Sequence, residues 1–502
     1  MAKICLSLTG KTLALDLEML EKHRKYIDIA ELRVDYLDPD ESLHIRRFPE
    51  LAGVPVILSI RRSIDGGQFY SGEGARITLL AKGMAYAETD RRRNFAFVDL
   101  EEDLNVPGLE EAARTFGTRI IRSWYNTEGV DEDLEDRIKK LGRVGDELVK
   151  ISLVPRSMDD VITIFSIARK TKNTEKIIHA EGDYGPFTGI LSESFGSRIT
   201  YIQDTRHADL KELVEMYHFR EITKNTRIFA VIGFPNKAAG SVKFFNTVFK
   251  MENTDAVLVP IPVDYIQSFM CLAEEIGIAG ILVTDPFKEA MSKYLANKSR
   301  EVVSVGTCNV AVADRNGWAG YNTDTLSFSD SILEALGKKD LWWRKLTIVG
   351  SGDIARAVAA EVYRLKGKAL ILSRNTTQAR LLAEPYDFAW ADPESRRVDL
   401  MRKYFGIIVL TGYPLTEIDS DDDPLEFYRF SGRELVMDLS DKPGISRCLK
   451  RAEEAGCRIL NGYDMLHRQA RYQYAYLMNK EFPPSFISRV GFLEPQNGSN
   501  CN

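Results

Sequence analysis

Eight short runs of β-branched and aliphatic residues recur in the first 221 positions, at 3–8, 26–34, 54–60, 95–100, 118–124, 147–154, 176–180 and 198–202. Longer polar or amphipathic stretches separate them, and 13–24, 75–89, 130–141, 159–171 and 209–217 read as helices. Strands in that rhythm are parallel βα units. Their number predicts a closed (β/α)8 barrel, with an open doubly wound sheet as the other architecture that gives the same alternation.

A parallel barrel carries its chemistry at the C-terminal ends of its strands. Those ends supply Glu31, Arg33 and Asp35, then Arg61 and Arg62, Asp99 and Glu101, Tyr125, Lys150, and Glu181 with Asp183. Lys150 is the sharpest case, because it stands between Leu148-Val149 and Ile151-Ser152-Leu153-Val154. Facing the interior it would be desolvated, which lowers an amine's pKa and leaves a neutral nucleophile for Schiff-base formation with a ketone. Facing the helix layer it would snorkel to water.

Charge and cysteine usage narrow the partners. Lys plus Arg is 67 against Asp plus Glu at 73, a net charge of -6, which gives no basic surface for nucleic acid. Six dispersed cysteines and six histidines, without a CxxC or a paired-His spacing, predict no metal site and no disulfide framework, and point to the cytoplasm. Apolar stretches such as 276–284 fall far short of a membrane span.

Five ordered motifs of the first half are Glu31-Leu32-Arg33-Val34-Asp35, Ser59-Ile60-Arg61 with Asp65-Gly66-Gly67, Asp99-Leu100-Glu101, Val149-Lys150-Ile151, and Phe195-Gly196-Ser197 with Thr200-Tyr201. Together they resemble type I 3-dehydroquinate dehydratase over roughly residues 1–205. The resemblance implies dehydration of 3-dehydroquinate to 3-dehydroshikimate through an imine on Lys150, with Glu31, Arg33 and Arg61 on the substrate hydroxyls. In Ser123-Trp124-Tyr125-Asn126 it puts Tyr125 where the family has its catalytic His, and it puts Gly189 where the family has an Arg for the substrate carboxylate. The Ser/Gln loop after the last strand gives way to Gln203-Asp204-Thr205-Arg206. A phenol with a pKa near 10 is a poor proton shuttle at neutral pH. His179, on the seventh strand, is a substitute base if it faces inward.

The polar stretch 220–227 separates the halves, and 228–233 then reads as a buried strand ending in Gly-x-Pro. Further on, the strand at 345–349 runs into Gly350-Ser351-Gly352-Asp353-Ile354-Ala355, followed by a helix to about 366 and a second strand at 369–373. Glycines in that setting let the backbone approach a pyrophosphate, whose charge meets the free N–H groups of a helix N-terminus. The second strand ends in Ser373-Arg374-Asn375, without the acid that holds a 2′-hydroxyl, and so selects NADP. Lys288, on a strand-to-helix turn in Thr284-Asp285-Pro286-Phe287-Lys288-Glu289, and Asp324 in Tyr321-Asn322-Thr323-Asp324 are candidates for passing a proton to a ketone that receives hydride.

These pieces, with Gly233-Phe234-Pro235, Asn309 in Gly306-Thr307-Cys308-Asn309 and the run 462–470, resemble shikimate dehydrogenase over roughly residues 228–490. The resemblance implies Lys288 and Asp324 as the catalytic pair, Ser241, Thr284, Asn309 and Gln469 as substrate ligands, and NADP bound by the Gly350 loop, Ser373, Arg374, Asn375 and Gly462. Of the family's paired serines only Ser241 remains in Ala238-Ala239-Gly240-Ser241. Leu282 replaces an Asn, Asp441 replaces a Tyr, and Val409-Leu410-Thr411-Gly412 replaces an Asn-Ala-Thr-Ser turn.

The fold expected is α/β: a (β/α)8 barrel over 1–221, a shikimate-dehydrogenase-like α/β substrate domain over 228–331 plus 466–490, and a Rossmann NADP-binding domain over 340–465. The function that the two resemblances imply is a fused shikimate-pathway enzyme that dehydrates 3-dehydroquinate to 3-dehydroshikimate and reduces 3-dehydroshikimate to shikimate with NADPH. The other reading open at this point is a barrel without turnover, joined to a shikimate- or quinate-type dehydrogenase or to a metabolite or NADP sensor.

Overall fold

The computed structural model describes residues 1–84, 90, 93–142, 144–203, 210–233, 235–395, 402–412, 423–439, 445–483 and 486, with the side chains of 235–239 and 463 set aside. Its contacts group the chain into two compact units, Met1–Ala230 with Phe249–Ile278, and Val231–Val248 with Ala279–Asn502.

The first eight strands are β1 (Lys3–Leu8), β2 (Ile29–Arg33), β3 (Val56–Ser59), β4 (Phe97–Glu101), β5 (Arg119–Asn126), β6 (Leu148–Leu153), β7 (Lys176–Ala180) and β8 (Ile199–Gln203). They form one parallel sheet in the order β7-β6-β5-β4-β3-β2-β1-β8, a nearly closed barrel. The seam between β7 and β8 is held by fewer backbone bonds. There Arg198 N donates to Lys176 O at 2.9 Å, and Ile178 N donates to Ser197 Oγ at 3.0 Å, so a side chain replaces a rung of the ladder.

Successive strand residues face opposite sides, so alternate positions fill the interior. Cys5, Ile29, Ile57, Ile121, Leu148, Ile177, Ile199 and Tyr201 make its apolar floor. Two residues further along most strands the same face carries Ser7, Glu31, Asp99, Ser123, Lys150 and His179. The change from aliphatic to ionisable along one face sets the reactive layer at the C-terminal mouth.

The expected helices stand with shifted ends, for example Leu134–Leu141 and Met158–Lys170. Residues 85–89 of the one expected over 75–89 lie outside the described residues, and 210–217 contains a π-helical turn, Glu212–Met216. A helix not anticipated, Pro107–Phe116, begins with Pro in its first turn and ends at Gly117 with φ 76°. Pro-Gly reads as a turn in sequence, although Pro is well suited to a first helical position.

A second sheet holds β9 (Arg227–Ile232), β10 (Ala256–Pro260), β11 (Ile278–Val283), β12 (Asn297–Lys298), β13 (Val310–Asp314) and β14 (Gly317–Tyr321), in the order β10-β9-β11-β13-β14-β12. The third sheet is parallel throughout. It consists of β15 (Lys345–Val349), β16 (Lys368–Leu372), β17 (Ala389–Ala391), β18 (Ile407–Leu410), β19 (Leu435–Asp438) and β20 (Arg458–Leu460), ordered β17-β16-β15-β18-β19-β20. Counted within the sheet this is 3-2-1-4-5-6, the doubly wound order, whose ligand crevice lies where the winding reverses beyond β15 and β18. Apolar clusters cover both faces, one built on Ile348, Val358 and Met437 and the other on Leu370, Ile408 and Leu449, which explains why these strands are uniformly hydrophobic.

Among the described residues no helix is long and apolar enough to cross a membrane. No group of His, Cys, Asp and Glu among them is arranged to hold a metal ion.

Candidate active sites

Lys150 is inside the barrel, not on its helix-facing side. Its ammonium lies 2.8 Å from Asp99 Oδ2 on β4 and 3.0 Å from Glu31 Oε1 on β2, with all three side chains buried. Ser7 Oγ donates to the other oxygen of Glu31 at 2.6 Å, and Tyr125 Oη donates to Asp99 Oδ2 at 2.7 Å. The Arg61 guanidinium covers the Tyr125 ring at 4.0 Å and stands 3.6 Å from Glu181, while Lys150 Nζ is 4.3 Å from the centre of the Tyr201 ring. Arg33, also buried, forms a bidentate pair with Asp35, at 2.9 and 2.8 Å. Asp35 also receives Gln68 N at 3.0 Å, so this pair braces the loops above β2 and β3.

Among the described residues five buried polar atoms of this interior have no hydrogen-bond partner: Arg61 Nε, Asp99 Oδ1, Ser123 Oγ, Ser152 Oγ and Tyr201 Oη. They come from five different strands or strand ends. A folded interior leaves few such atoms, and their convergence around one amine marks a place for a polar ligand. Arg61, Tyr125, Ser152 and Glu181 line a cavity at the mouth. A larger cavity of about 440 Å³, walled by Leu37, Phe69, Tyr70 and Leu79, adjoins the Asp35 loop and contains none of the groups around Lys150.

The charge state of Lys150 differs from the sequence expectation of a lowered pKa. Burial does act that way, but the carboxylates of Asp99 and Glu31 outweigh it and hold the amine's pKa well above its usual value. Burial likewise opposes ionisation of Glu31, yet Lys150, Arg33 and Arg61 bring its carboxyl down to about 2. Burial and the Asp99 charge push Tyr125 up to about 12, so it stays a phenol at neutral pH. Gly189 lies in the helix Gly185–Ile190, where an added Cβ would sit 3.1 Å from Thr200 Oγ1.

In the second unit, Lys288 opens the helix Lys288–Met291 just after β11, and its Nζ is 3.0 Å from Asp324 Oδ2. Asp324 belongs to the first turn of the helix Thr323–Leu336, which Asn322 caps by accepting from the amides of Asp324 and Thr325. Its other oxygen accepts from Asn309 Nδ2 at 2.9 Å and Gln469 Nε2 at 2.7 Å. Asn309 is itself fixed by Thr323, whose amide donates to Asn309 Oδ1 at 2.8 Å. The carboxylate is therefore oriented from three directions. Burial opposes the charge on Lys288, but Asp324 and Asp285 raise its pKa above the usual value, so it is a proton donor at neutral pH.

Thr284 Oγ1 donates to Ile232 O at 3.0 Å, and a Cβ at Gly233, which has φ 112°, would come within 2.1 Å of that hydroxyl. The glycine of Gly-x-Pro is thus explained by a close approach of two loops. Among the described residues no hydrogen bond joins Thr284 or Ser241 to the Lys288–Asp324 cluster. Ser241 is half-buried on the helix Pro235–Met251. Asp441 lies outside the described residues.

The loop after β15 has the features that a dinucleotide needs. Gly350 has φ 120°, and a Cβ there would lie 2.4 Å from Thr411 Oγ1. Gly352 is the N-cap of the helix Asp353–Arg364 without a side-chain cap, and no atom comes within 4 Å of where its Cβ would stand. The helix's first N–H groups therefore face an open cradle suited to a pyrophosphate. Ser351 Oγ is 3.0 Å from Ser373 Oγ, Asn375 caps the helix Thr376–Ala383, and Arg374 is exposed at the end of β16. Ile354 and Ala355 belong to the core behind the loop, and Gly462 begins the helix Gly462–Met478. Asp353 brings a negative charge to the cradle, offset by Arg356 at 3.6 Å. Gly350→Ala is expected to weaken dinucleotide binding at least about tenfold, through strain at positive φ and the Thr411 contact. Nucleotide fluorescence titration measures it.

Residues 4–224 match the type I 3-dehydroquinase model, and residues 231–311 match the shikimate dehydrogenase substrate binding domain. The chain joins a type I 3-dehydroquinase domain to a shikimate dehydrogenase domain. It is 24% identical to the chloroplastic bifunctional 3-dehydroquinate dehydratase/shikimate dehydrogenase of Arabidopsis thaliana, over 91% of this chain and 79% of that one. It is 21% identical to the shikimate biosynthesis protein AroDE of Chlamydia pneumoniae, over 94% of each. Among solved structures, dehydroquinate dehydratase and shikimate dehydrogenase from S. pombe AroM aligns over 97% of this chain and 98% of its own, at 19% identity and a TM-score of 0.44.

Several members of the dehydroquinase site escaped sequence reasoning. Asp99 stood among the strand ends, but nothing local tied it to Lys150. Tyr201 and Ser7 are ordinary strand residues, and only their alternation with the apolar floor would have marked them as inward.

Proposed function

We propose that the chain dehydrates 3-dehydroquinate to 3-dehydroshikimate at Lys150 and reduces 3-dehydroshikimate to shikimate with NADPH at Lys288 and Asp324. The observation that carries this reading is the buried Lys150 amine, held by two carboxylates and ringed by five polar atoms that have no partner among the described residues. The reading in which the barrel has lost its chemistry finds no support in this geometry or among the relatives.

In the barrel the Lys150 ammonium first passes a proton to the carboxylate of Asp99, 2.8 Å away. The neutral amine adds to the substrate ketone, and loss of water gives a protonated imine, which makes the neighbouring C–H bond acidic. In this reading Glu31 and Arg61 hold substrate hydroxyls, and the hydroxyls of Ser123, Ser152 and Tyr201, without a partner among the described residues, supply further contacts. Elimination of a hydroxyl as water, then hydrolysis of the imine, releases the enone and the amine. The sum is the loss of one water.

In the second unit Lys288 gives a proton to the carbonyl oxygen, and Asp324, fixed by Asn309 and Gln469, orients Lys288 and relays to it a replacement proton taken from water. NADPH, when bound, supplies the hydride. Gly350, Ser351 and Gly352 would hold its pyrophosphate, and Ser373, Arg374 and Asn375 its 2′-phosphate. Domain limits of 1–221, 228–331 with 466–490, and 340–465 fit this division of labour. The five cysteines described are all free, which suits a reducing compartment such as the cytoplasm.

The test of the first activity is 3-dehydroquinate alone, without nucleotide. Dehydration conjugates the ketone with a new double bond, so ultraviolet absorbance should grow until the substrate is consumed. Absence of that rise with the intact chain would overturn the dehydratase assignment.

A further inference from the structure

Imine chemistry needs a base for the proton on the carbon beside the imine, and few groups in the barrel can serve. Tyr125 is a protonated phenol whose hydrogen is committed to Asp99. Glu31 and Asp99 flank the Lys150 nitrogen, whose positive charge persists from the ammonium to the protonated imine, and Glu181 lies beside the Arg61 guanidinium.

His179 remains. It is on β7, next to the strand of Lys150. Ser152 is its Cα partner, and Lys150 is the partner of Ile177 two residues earlier. Its ring centre is 5.4 Å from that of Tyr201, the same ring that lies under Lys150 Nζ at 4.3 Å. Its Nε2 is 3.6 Å from Glu181 Oε1, and its side chain is 23% exposed, against 1% for Lys150, so it reaches from the amine's surroundings into the mouth. Of the histidines described, His23 and His467 are on helices and His44 and His218 are in turns, so only His179 is on a barrel strand. Burial pushes the imidazole down to about 4 against the pull of Glu181, with Lys150 and Arg61 acting with burial and Glu31 against it. It is therefore neutral at pH 7, with a lone pair ready to accept a proton.

We propose that His179 is the base of the dehydration, acting from β7 in place of a histidine at position 125. The proposal rests on the imine reading above. His179 takes the proton from the carbon next to the protonated imine, and the C–H electron pair forms an enamine. Collapse of the enamine breaks the C–O bond one carbon further on, and the His179 imidazolium returns its proton to that oxygen, which leaves as water. The conjugated imine is then hydrolysed by a second water. Glu181 is a positioning residue that steadies the imidazolium between the two transfers.

The experiment compares the intact chain with its His179→Gln and Tyr125→Phe variants on 3-dehydroquinate. Three readouts are used: borohydride trapping at Lys150, exchange of the substrate C–H with D₂O, and formation of the enone. In His179→Gln, enone formation is expected to fall at least about 100-fold and D₂O exchange to disappear, with trapping retained. In Tyr125→Phe both should stay within about tenfold of the parent chain. Reduction of added 3-dehydroshikimate serves as the folding control and should be unchanged in both. Exchange and turnover that survive in His179→Gln, or that vanish in Tyr125→Phe instead, overturn the assignment of His179 alone. Absence of any adduct at Lys150 in the parent chain overturns the imine reading and the proposal with it.

Discussion

Lys150→Ala is expected to lower dehydration of 3-dehydroquinate about 10⁴-fold or more, to abolish borohydride trapping, and to leave reduction of 3-dehydroshikimate at the parent rate. The reason is covalent, since among the described residues no other amine stands in the ring of orphaned polar atoms. The substitution also has a structural consequence. It strips Glu31 and Asp99 of their shared cation while leaving both buried, a loss that costs about 3–5 kcal/mol where a buried pair is broken. Lys150→Arg separates the two effects, because guanidinium keeps the positive charge between the carboxylates but does not form an imine with a ketone. Lys150→Arg should therefore melt closer to the parent than Lys150→Ala does, and be equally inactive. Retained trapping in either variant, read by the mass of the reduced protein, would place the nucleophile elsewhere.

The second large effect is expected at the dehydrogenase pair. Lys288→Ala should reduce kcat for 3-dehydroshikimate about 10²–10⁴-fold, the range for loss of a positioned proton donor. Asp324→Asn should act in the same direction, because an amide neither holds the Lys288 ammonium nor restores its proton. Here the neighbours predict little structural damage, since Asn309 and Gln469 still engage the remaining oxygen at position 324. Steady-state NADPH oxidation gives kcat, nucleotide fluorescence reports whether binding persists, and the enone rise from 3-dehydroquinate should not change. A Lys288→Ala variant that reduces the ketone at the parent rate would remove Lys288 from the chemistry.

How much of this was legible in sequence depends on how local the physics is. The eight barrel strands are, because each is an apolar run bounded by polar stretches. The turn after β15 is also local, with strand, glycines and helix contiguous in the chain, and its structural requirement at Gly350 is one backbone angle and one close approach. The charge state of Lys150 was not. Its partners lie 119 and 51 residues away in sequence, and a desolvation argument made without them points the wrong way. Gln469 is 145 residues from Asp324, and only the family resemblance brought it to the site. The β7–β8 seam was equally hidden, because a serine side chain does the work of a backbone rung there. Arg33 shows another case: the family resemblance implied it as a substrate ligand, and its pairing through Nε and Nη2 with Asp35, two residues on, was not anticipated.

One measurement tests most directly that a single chain performs both reactions. The intact protein is given 3-dehydroquinate and NADPH, with no added 3-dehydroshikimate, and the nicotinamide absorbance is followed. The expected result is steady loss of that absorbance with shikimate accumulating, one NADPH consumed for each shikimate formed. Oxidation with added 3-dehydroshikimate but none with 3-dehydroquinate would contradict it.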